Sequence, residues 1–479
     1  MEVELFFKIL VLVVGFYMAW NIGANDVSNA MGTSVGSGAL TLRRAVLLAA
    51  VLEFSGAFFV GSNVSETMQR GLIDTDIFLT DPTLLILGMC AALLATGVWL
   101  QIASYCGWPV STTHAIVGSI VGFGFIVGGV EAVQWEELST IVFSWVASPI
   151  ISGIFSYLVF SLLQKKILFA LNPVESTKKL YPFLIFTVFF IFSLILMFKG
   201  LENLNLTLSF AQVFFISILV GLIAAFIAKM LVQKVETPMG YPKSSSISPQ
   251  NIVSLEKASK HLQRVQSSSV EEVHDKVSVL LSEIQTLTQE VKKETCFFEK
   301  NTEYKTVEKM FVYLQILSAC FVAFAHGAND VANAIGPVAA VLDVIKNGAI
   351  SDVAIVPSWL LAFGGLGIVI GLATWGWKVI ETIGKKITEL TPTRGFSAEF
   401  SAATTILLAS KMGIPVSTTH CIVGAVLGVG MARGMRALNL NMIKEIVLSW
   451  VITIPASAIM SILIFYFLQS CFLQFFTGH

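Results

Sequence analysis

The chain has 479 residues, of which 55% are hydrophobic and only 13% charged, with a formal net charge of −1. Soluble domains carry about 25% charged residues, so this composition excludes a soluble enzyme or binding module and specifies an integral membrane protein. The near-neutral balance and the lack of any basic run exclude nucleic acid as a partner.

A helix needs about 20 apolar residues to cross the hydrocarbon core of a bilayer. Such runs lie near 5–22, 44–62, 83–105, 138–163, 183–199 and 209–232, and resume near 309–326, 354–377, 396–411 and 443–470. The first run has the length of a signal-peptide core, but Phe311–Ala325 is its internal counterpart, so it is read as mature structure. Two further segments, 109–128 and 415–432, are apolar and Gly-rich but short, and suit either full spans or halves of re-entrant hairpins. The six cysteines show no metal-ligand spacing and read as packing residues.

Lysine and arginine set the orientation. With Arg43 and Arg44 cytoplasmic, Lys165, Lys166, Lys178, Lys179, Lys385, Lys386, Arg394, Arg433 and Arg436 also fall inside. Scattered Arg70, Lys199, Lys346 and Lys411 and the acidic loops Asp74–Asp81 and Glu131–Glu137 fall outside. Both termini come out external, with about twelve crossings. The expected organisation is a first transmembrane repeat over 1–170, connecting helices over 171–232, a cytoplasmic insert over 233–308 and a second repeat over 309–479. The insert opens on a Pro/Ser-rich linker, Pro238–Gln250. Val270, Val273, Val277, Leu280, Ile284, Leu287 and Val291 then keep a 3-4 spacing that predicts a helix hairpin or a short coiled coil. Asn63-Val64-Ser65 and Asn205-Leu206-Thr207 fit outer-face glycosylation acceptors if the chain is eukaryotic.

The segment from Gly23 reads GANDVSNAMG, and GANDVANAIG begins at Gly327, 304 residues later, with 8 of 10 positions identical. PVSTTHAIVGSIVGFG from Pro109 recurs as PVSTTHCIVGAVLGVG from Pro415, 306 residues later, with 11 of 16 identical. The matching offsets indicate an ancestral duplication. On the orientation above the two copies run oppositely, giving an all-α polytopic protein of two inverted-topology repeats, the architecture of many secondary transporters.

An aspartate at mid-membrane costs about 2.5–3.5 kcal/mol, so Asp26 and Asp330 need partners. Gly and Asn beside each favour locally unwound backbone. Carbonyls, amide oxygens and carboxylates together form an oxygen cage suited to a hard cation such as Na⁺. Two cation sites are therefore expected, around Asn25, Asp26 and Asn29 and around Asn329, Asp330 and Asn333. The PVSTTH motifs suit an anion. Pro109 and Pro415 predict helix starts, and Ser111, Thr112, Thr113, Ser417, Thr418 and Thr419 then lie near free N–H groups at positive dipole ends. Neither motif holds lysine or arginine, so a multiply charged anion there needs bound cations to offset it. Glu53 and Glu399 stand in apolar surroundings without being repeat mates, and His114 and His420 end the PVSTTH motifs. These four are candidates for coupling or gating, each with a structural hydrogen-bonding role as the plainer alternative.

The stretch GANDVSNAMGTSVGSGALTLRRAVLLAAVLEFSG, the second GANDVANA and the paired PVSTTH segments resemble the inorganic phosphate transporter (PiT) family over roughly 15–165 and 310–470. The resemblance implies symport of inorganic phosphate driven by Na⁺ or H⁺ on a dimeric inverted-repeat fold, with no enzymatic activity and no cofactor beyond the coupling ion. It also implies roles for Asp26, Asp330, the Ser/Thr triplets, Glu53 and Glu399, and a multi-pass location in the cell membrane. An H⁺-coupled phosphate or sulfate carrier is the nearest alternative. A phosphate-sensing receptor and an intramembrane aspartyl protease are more distant ones; the protease is disfavoured because both acids sit in G-A-N-D.

Overall fold

The computed structural model describes residues 2–70, 72–79, 81–200, 208–236, 249–267, 271–299, 302–347, 356–376, 380, 390–434 and 440–474. The described chain is helical throughout and contains no strand, its one isolated β-bridge joining Ile73 to Val133. In chain order the helices are α1 (Glu2–Gly36), α2 (Leu42–Val60), α3 (Ser62–Arg70), α4 (Pro82–Cys106), α5 (Thr112–Gly128), α6 (Trp135–Leu163), α7 (Pro173–Gly200) and α8 (Phe210–Val232). They continue with α9 (Pro249–Ser267), α10 (Glu271–Glu299), α11 (Thr302–Asn347), α12 (Ser358–Thr374), α13 (Pro392–Lys411), α14 (Thr418–Arg433) and α15 (Leu440–Phe472).

The expected linker over 238–250 falls mostly outside the described residues, as do Val270, Lys385, Lys386, Arg436 and the Asn205 acceptor. Ser65 of the other acceptor is buried in α3, where its hydroxyl donates to Gly61 O. Seven helices are long and apolar enough to span a membrane, or eight if the bent pair α2 and α3 counts as one. Twelve full-length apolar spans are thus not found among the described residues. Part of the reason is that α12 has only 17 residues, and part lies in the PVSTTH segments. At 1.5 Å per residue α5 (17 residues) and α14 (16 residues) reach only about 25 Å. Their starts, Val110–Ser111 and Val416–Ser417, are buried inside the protein, so α4–α5 and α13–α14 are hairpins whose tips end in the interior. At the open end of the first hairpin Asp74 N donates to Ala132 O and Gln134 N to Leu72 O, which joins the two acidic loops expected on one face.

The chain divides into two compact units, one of residues 1–160, 188–220 and 312–479, the other of 161–187 and 221–311. In the second, α9 and α10 form the expected helix hairpin, with His274 Nδ1 near Gln266 O at the turn. The buried stripe of α10 runs through Val277 and Leu281, while Val273, Leu280 and Leu287 of the expected seam are exposed. A helix packing on one antiparallel neighbour presents positions four apart, which moves the contact one residue away from a 3-4 seam.

The first unit holds both motif pairs. Contrary to the expectation of unwound backbone, both octets are continuous α-helix, within α1 and α11. Their glycines serve close packing instead. A Cβ on Gly23 would lie 1.9 Å from Ile368 O and one on Gly371 1.8 Å from Trp20 O, which seats α1 against α12. In the same way a Cβ on Gly327 would lie 2.0 Å from Glu53 O and one on Gly56 1.9 Å from Phe324 O, seating α2 against α11. Such contact between backbones is how small residues join membrane helices. Arg394 and Lys411, expected as loop charges, are both buried at the ends of α13.

A side chain at Gly371 must push α1 off α12 rather than displace a flexible neighbour. Gly371→Val is expected to lower stability by at least about 1–3 kcal/mol, read as a fall in the unfolding temperature of the detergent-solubilised protein.

Candidate functional site

Helices α1 and α11 run antiparallel past one another. Thr33 and Ser34 near the end of α1 and Gln315 and Ser318 near the start of α11 reach one carboxylate, Glu399. At the other end of the crossing Gly15 of α1 packs against Val338 of α11. The two octets therefore meet in the middle. His326 Nε2 lies 2.9 Å from Asp330 Oδ2 and 3.9 Å from Asp26 Oδ2, and its Nδ1 lies 3.3 Å from Glu53 Oε1. All four side chains are fully buried. Asp26, His326 and Asp330 offer ligand atoms within 4.8 Å of one another, a spacing that suits one shared ion or proton.

Around this centre the same contacts occur twice at the motif offsets. Asn25 Nδ2 donates to Ser104 Oγ at 3.0 Å, and Asn329 lies 3.0 Å from Ser410 Oγ. With the Asn329 amide turned so that its N–H groups donate to Val416 O and Asp330 Oδ1, both at 3.0 Å, all its polar atoms are satisfied. Asn29 Nδ2 donates to Thr419 Oγ1 at 2.8 Å, and Asn333 Nδ2 to Thr113 Oγ1 at 3.4 Å. The Thr113 hydroxyl donates to Val416 O and the Thr419 hydroxyl to Val110 O, each at 3.1 Å, so the hairpin tips are tied to each other. Behind them His114 and His420 meet edge to face, 4.4 Å between ring centroids, and His420 Nδ1 lies 3.0 Å from Trp145 O.

The prolines do not start the helices, as expected from sequence; they lie two residues before the N-caps. Ser111 and Ser417 are the caps, each hydroxyl accepting the N–H of the histidine three residues on at 3.2 Å. A hydroxyl that can satisfy an N–H otherwise left without a partner outcompetes a proline at fixing the helix start. The N–H groups of Thr112, Thr113, Thr418 and Thr419 fall in the first turn, where no intrahelical acceptor exists. Thr418 Oγ1 also donates to Asp330 Oδ2 at 3.0 Å, and its repeat mate Thr112 stands beside Asp26. Two helix N-termini with hydroxyls thus converge next to two buried carboxylates, the complementary pair that an anion and its counter-cations require.

Comparison with known proteins fits this geometry. The phosphate transporter family model matches residues 22–461. The chain belongs to the phosphate transporter family. The Arabidopsis thaliana protein named inorganic phosphate transporter 2-1, chloroplastic, is 44% identical over 459 residues, covering 94% of this chain and 70% of its own length. A permease sequence from Chlamydia trachomatis serovar D is 45% identical over 464 residues, covering 97% of this chain and 99% of its own. The solved structure titled the sodium-dependent phosphate transporter superposes with a TM-score of 0.78 at 36% identity, covering 97% of this chain and 99% of that one.

In this family member the sequence-expected residues fall into three groups. Asp26, Asp330, Asn25, Asn29, Asn329, Asn333 and the Ser/Thr triplets come together at the crossing, with Glu53 reaching it through His326. Glu399 is separate: its Oε1 accepts from Thr33 at 2.5 Å, Ser34 at 2.7 Å and Gln315 Nε2 at 3.2 Å, and its Oε2 from Ser318 at 2.6 Å. His114 and His420 stand behind the tips. Sequence reading passed over His326, although AHGAND against NIGAND in the first copy shows a histidine where the mate is Ile22. It also passed over Gln315, Ser318, Thr33 and Ser34, whose role depends on the antiparallel crossing.

The Asn29 to Thr419 bond joins the first octet to the second hairpin. A double-mutant cycle on Asn29→Ala and Thr419→Ala is expected to give a coupling of about 0.5–1.5 kcal/mol in unfolding free energy. Additive effects would show that the two halves are not held together there.

Proposed function

We propose that this phosphate transporter imports inorganic phosphate by Na⁺-coupled symport through alternating access, with phosphate at the facing N-termini of α5 and α14 and Na⁺ at Asp26 and Asp330. The observation that carries the reading is the pair of hydroxyl-bearing helix N-termini tied tip to tip beside two fully buried aspartates. Phosphate presents oxygens to the free N–H groups and to Thr112 and Thr418. The counter-ions offset both the aspartates and the anion. The solved relative is named as sodium-dependent, which supports the choice of ion. The antiparallel α1 and α11 and the recurring contacts support the inverted-repeat reading.

The transporter works as a homodimer, on the strength of the family resemblance, with its termini outside and its insert in the cytoplasm. It resides in a boundary membrane. Since one relative is named chloroplastic, an organelle envelope is the alternative to the cell membrane. One observation favours a second reading, H⁺ coupling: His326 stands between Asp26, Asp330 and Glu53, a chain of groups able to hold and pass a proton.

Uptake into proteoliposomes with Na⁺, H⁺, phosphate and sulfate varied independently tests these readings. Phosphate entry should follow an imposed Na⁺ gradient and vanish in Asp26→Asn protein that retains its wild-type elution profile. Entry driven by a proton gradient alone would replace Na⁺ by H⁺, and equal entry of sulfate would widen the substrate. Thr112→Ala with Thr418→Ala should raise the KM for phosphate by about tenfold or more, and more than it raises the Na⁺ concentration for half-maximal uptake. The reverse result would exchange the assigned roles of the two motif types.

A further inference from the structure

The two octets match in sequence but not in their surroundings. A Cβ on Gly327 would meet Glu53 O and one on Gly23 would meet Ile368 O, so Ile368 occupies the place of Glu53. His326, the residue before Gly327, has Ile22 as its mate. The histidine and glutamate that contact each other on one side are thus a pair of isoleucines on the other. This asymmetry reaches the aspartates. Asp330 has Thr418 Oγ1 at 3.0 Å, His326 Nε2 at 2.9 Å and the Asn329 amide at 3.0 Å. Asp26 is fully buried, yet neither of its oxygens has a hydrogen-bond partner among the described residues, and His326 Nε2 is 3.9 Å away. On the same stretch of α1 the amide oxygens of Asn25 and Asn29 are also buried without partners, whereas the second octet leaves only Asn333 Oδ1 so.

We infer that the two cation sites are unequal: the first Na⁺ binds at Asp26, with Asn25 and Asn29, before phosphate arrives, while the place of a cation at Asp330 is held by His326. This rests on the Na⁺-symport reading above. A buried carboxylate whose oxygens lack donors gains most from a metal ion, because nothing must be displaced. At Asp330 an entering ion must first displace the imidazole. Binding is therefore sequential, and the second ion enters only as His326 swings away. His326 is a positioning residue here, acting on the ion through Asp330.

The test measures ²²Na⁺ binding to the purified full-length protein in detergent without phosphate. Wild type should bind one Na⁺ per chain. Asp26→Asn should raise the Na⁺ Kd by about tenfold or more, and Asp330→Asn by less than about threefold. His326→Gln should raise the stoichiometry to two, a change that a merely structural histidine would not produce. Should either aspartate variant fail to fold, Asn25→Ala against Asn329→Ala repeats the comparison with both acids intact, and the larger loss is expected for Asn25→Ala. Equal losses on the two sides, or a stoichiometry of one in His326→Gln, would overturn the inequality while leaving Na⁺ as the ion. Wild-type protein that binds no Na⁺ would overturn the Na⁺ reading itself, and this inference with it.

Discussion

A carboxylate taken out of water must be neutralised or hydrogen-bonded, and the interior buries four among the described residues. Each meets that constraint differently. Glu399 accepts four bonds from Thr33, Ser34, Gln315 and Ser318 and is satisfied within the protein. Asp330 accepts from a hydroxyl and an amide and lies 2.9 Å from the imidazole of His326, whose other nitrogen lies 3.3 Å from Glu53, a carboxylate that accepts no hydrogen bond among the described residues. Asp26 has no such set. The arrangement of helices follows from these demands, since α1 and α11 must cross antiparallel for His326 to reach both aspartates and for Glu399 to draw donors from both helices.

The glycines make the crossing possible. Backbone carbonyls of α2 and α12 stand where a Cβ of Gly327 or Gly23 would be, so the octets lie closer to their neighbours than any side-chain-bearing sequence allows. Close approach excludes lipid and water from the polar centre, which strengthens every electrostatic contact there. The cost of placing Gly and Asn in a helix, up to about 1 kcal/mol for each glycine, is offset by packing and by the Asn29 and Asn333 bonds to the opposite hairpin.

Much of the site was legible in the sequence because its chemistry is written twice. One GAND or one PVSTTH is open to a capping or packing explanation; two copies at offsets of 304 and 306 are not equally so. What sequence could not show was backbone conformation and partnership across the fold. Gly23 and Gly327 suggest unwinding on propensity alone, yet tertiary contact with Ile368 and Glu53 keeps them helical. Pro109 and Pro415 suggest helix starts, but Ser111 and Ser417 are the caps. His326 escaped notice because repeat symmetry draws attention to what is shared, and this residue matters by differing from Ile22. Gln315 and Ser318 look like incidental polar residues until the crossing brings them to Glu399.

On the proposed symport reading, charge balance is what couples the two fluxes. A phosphate dianion between two helix N-termini meets roughly half a positive charge from each, with no lysine or arginine in either PVSTTH motif. The sum leaves about one negative charge from the anion, to which Asp26 and Asp330 add theirs. Crossing a low-dielectric interior with such an excess is prohibitive, since even one uncompensated charge costs several kcal/mol. The carrier with the anion alone is therefore not free to reorient. With the anion bound, only cations in a number that cancels both leave a cluster able to move, and on the proposed reading that requirement ties the downhill ion to the uphill anion without any direct bond between their binding residues.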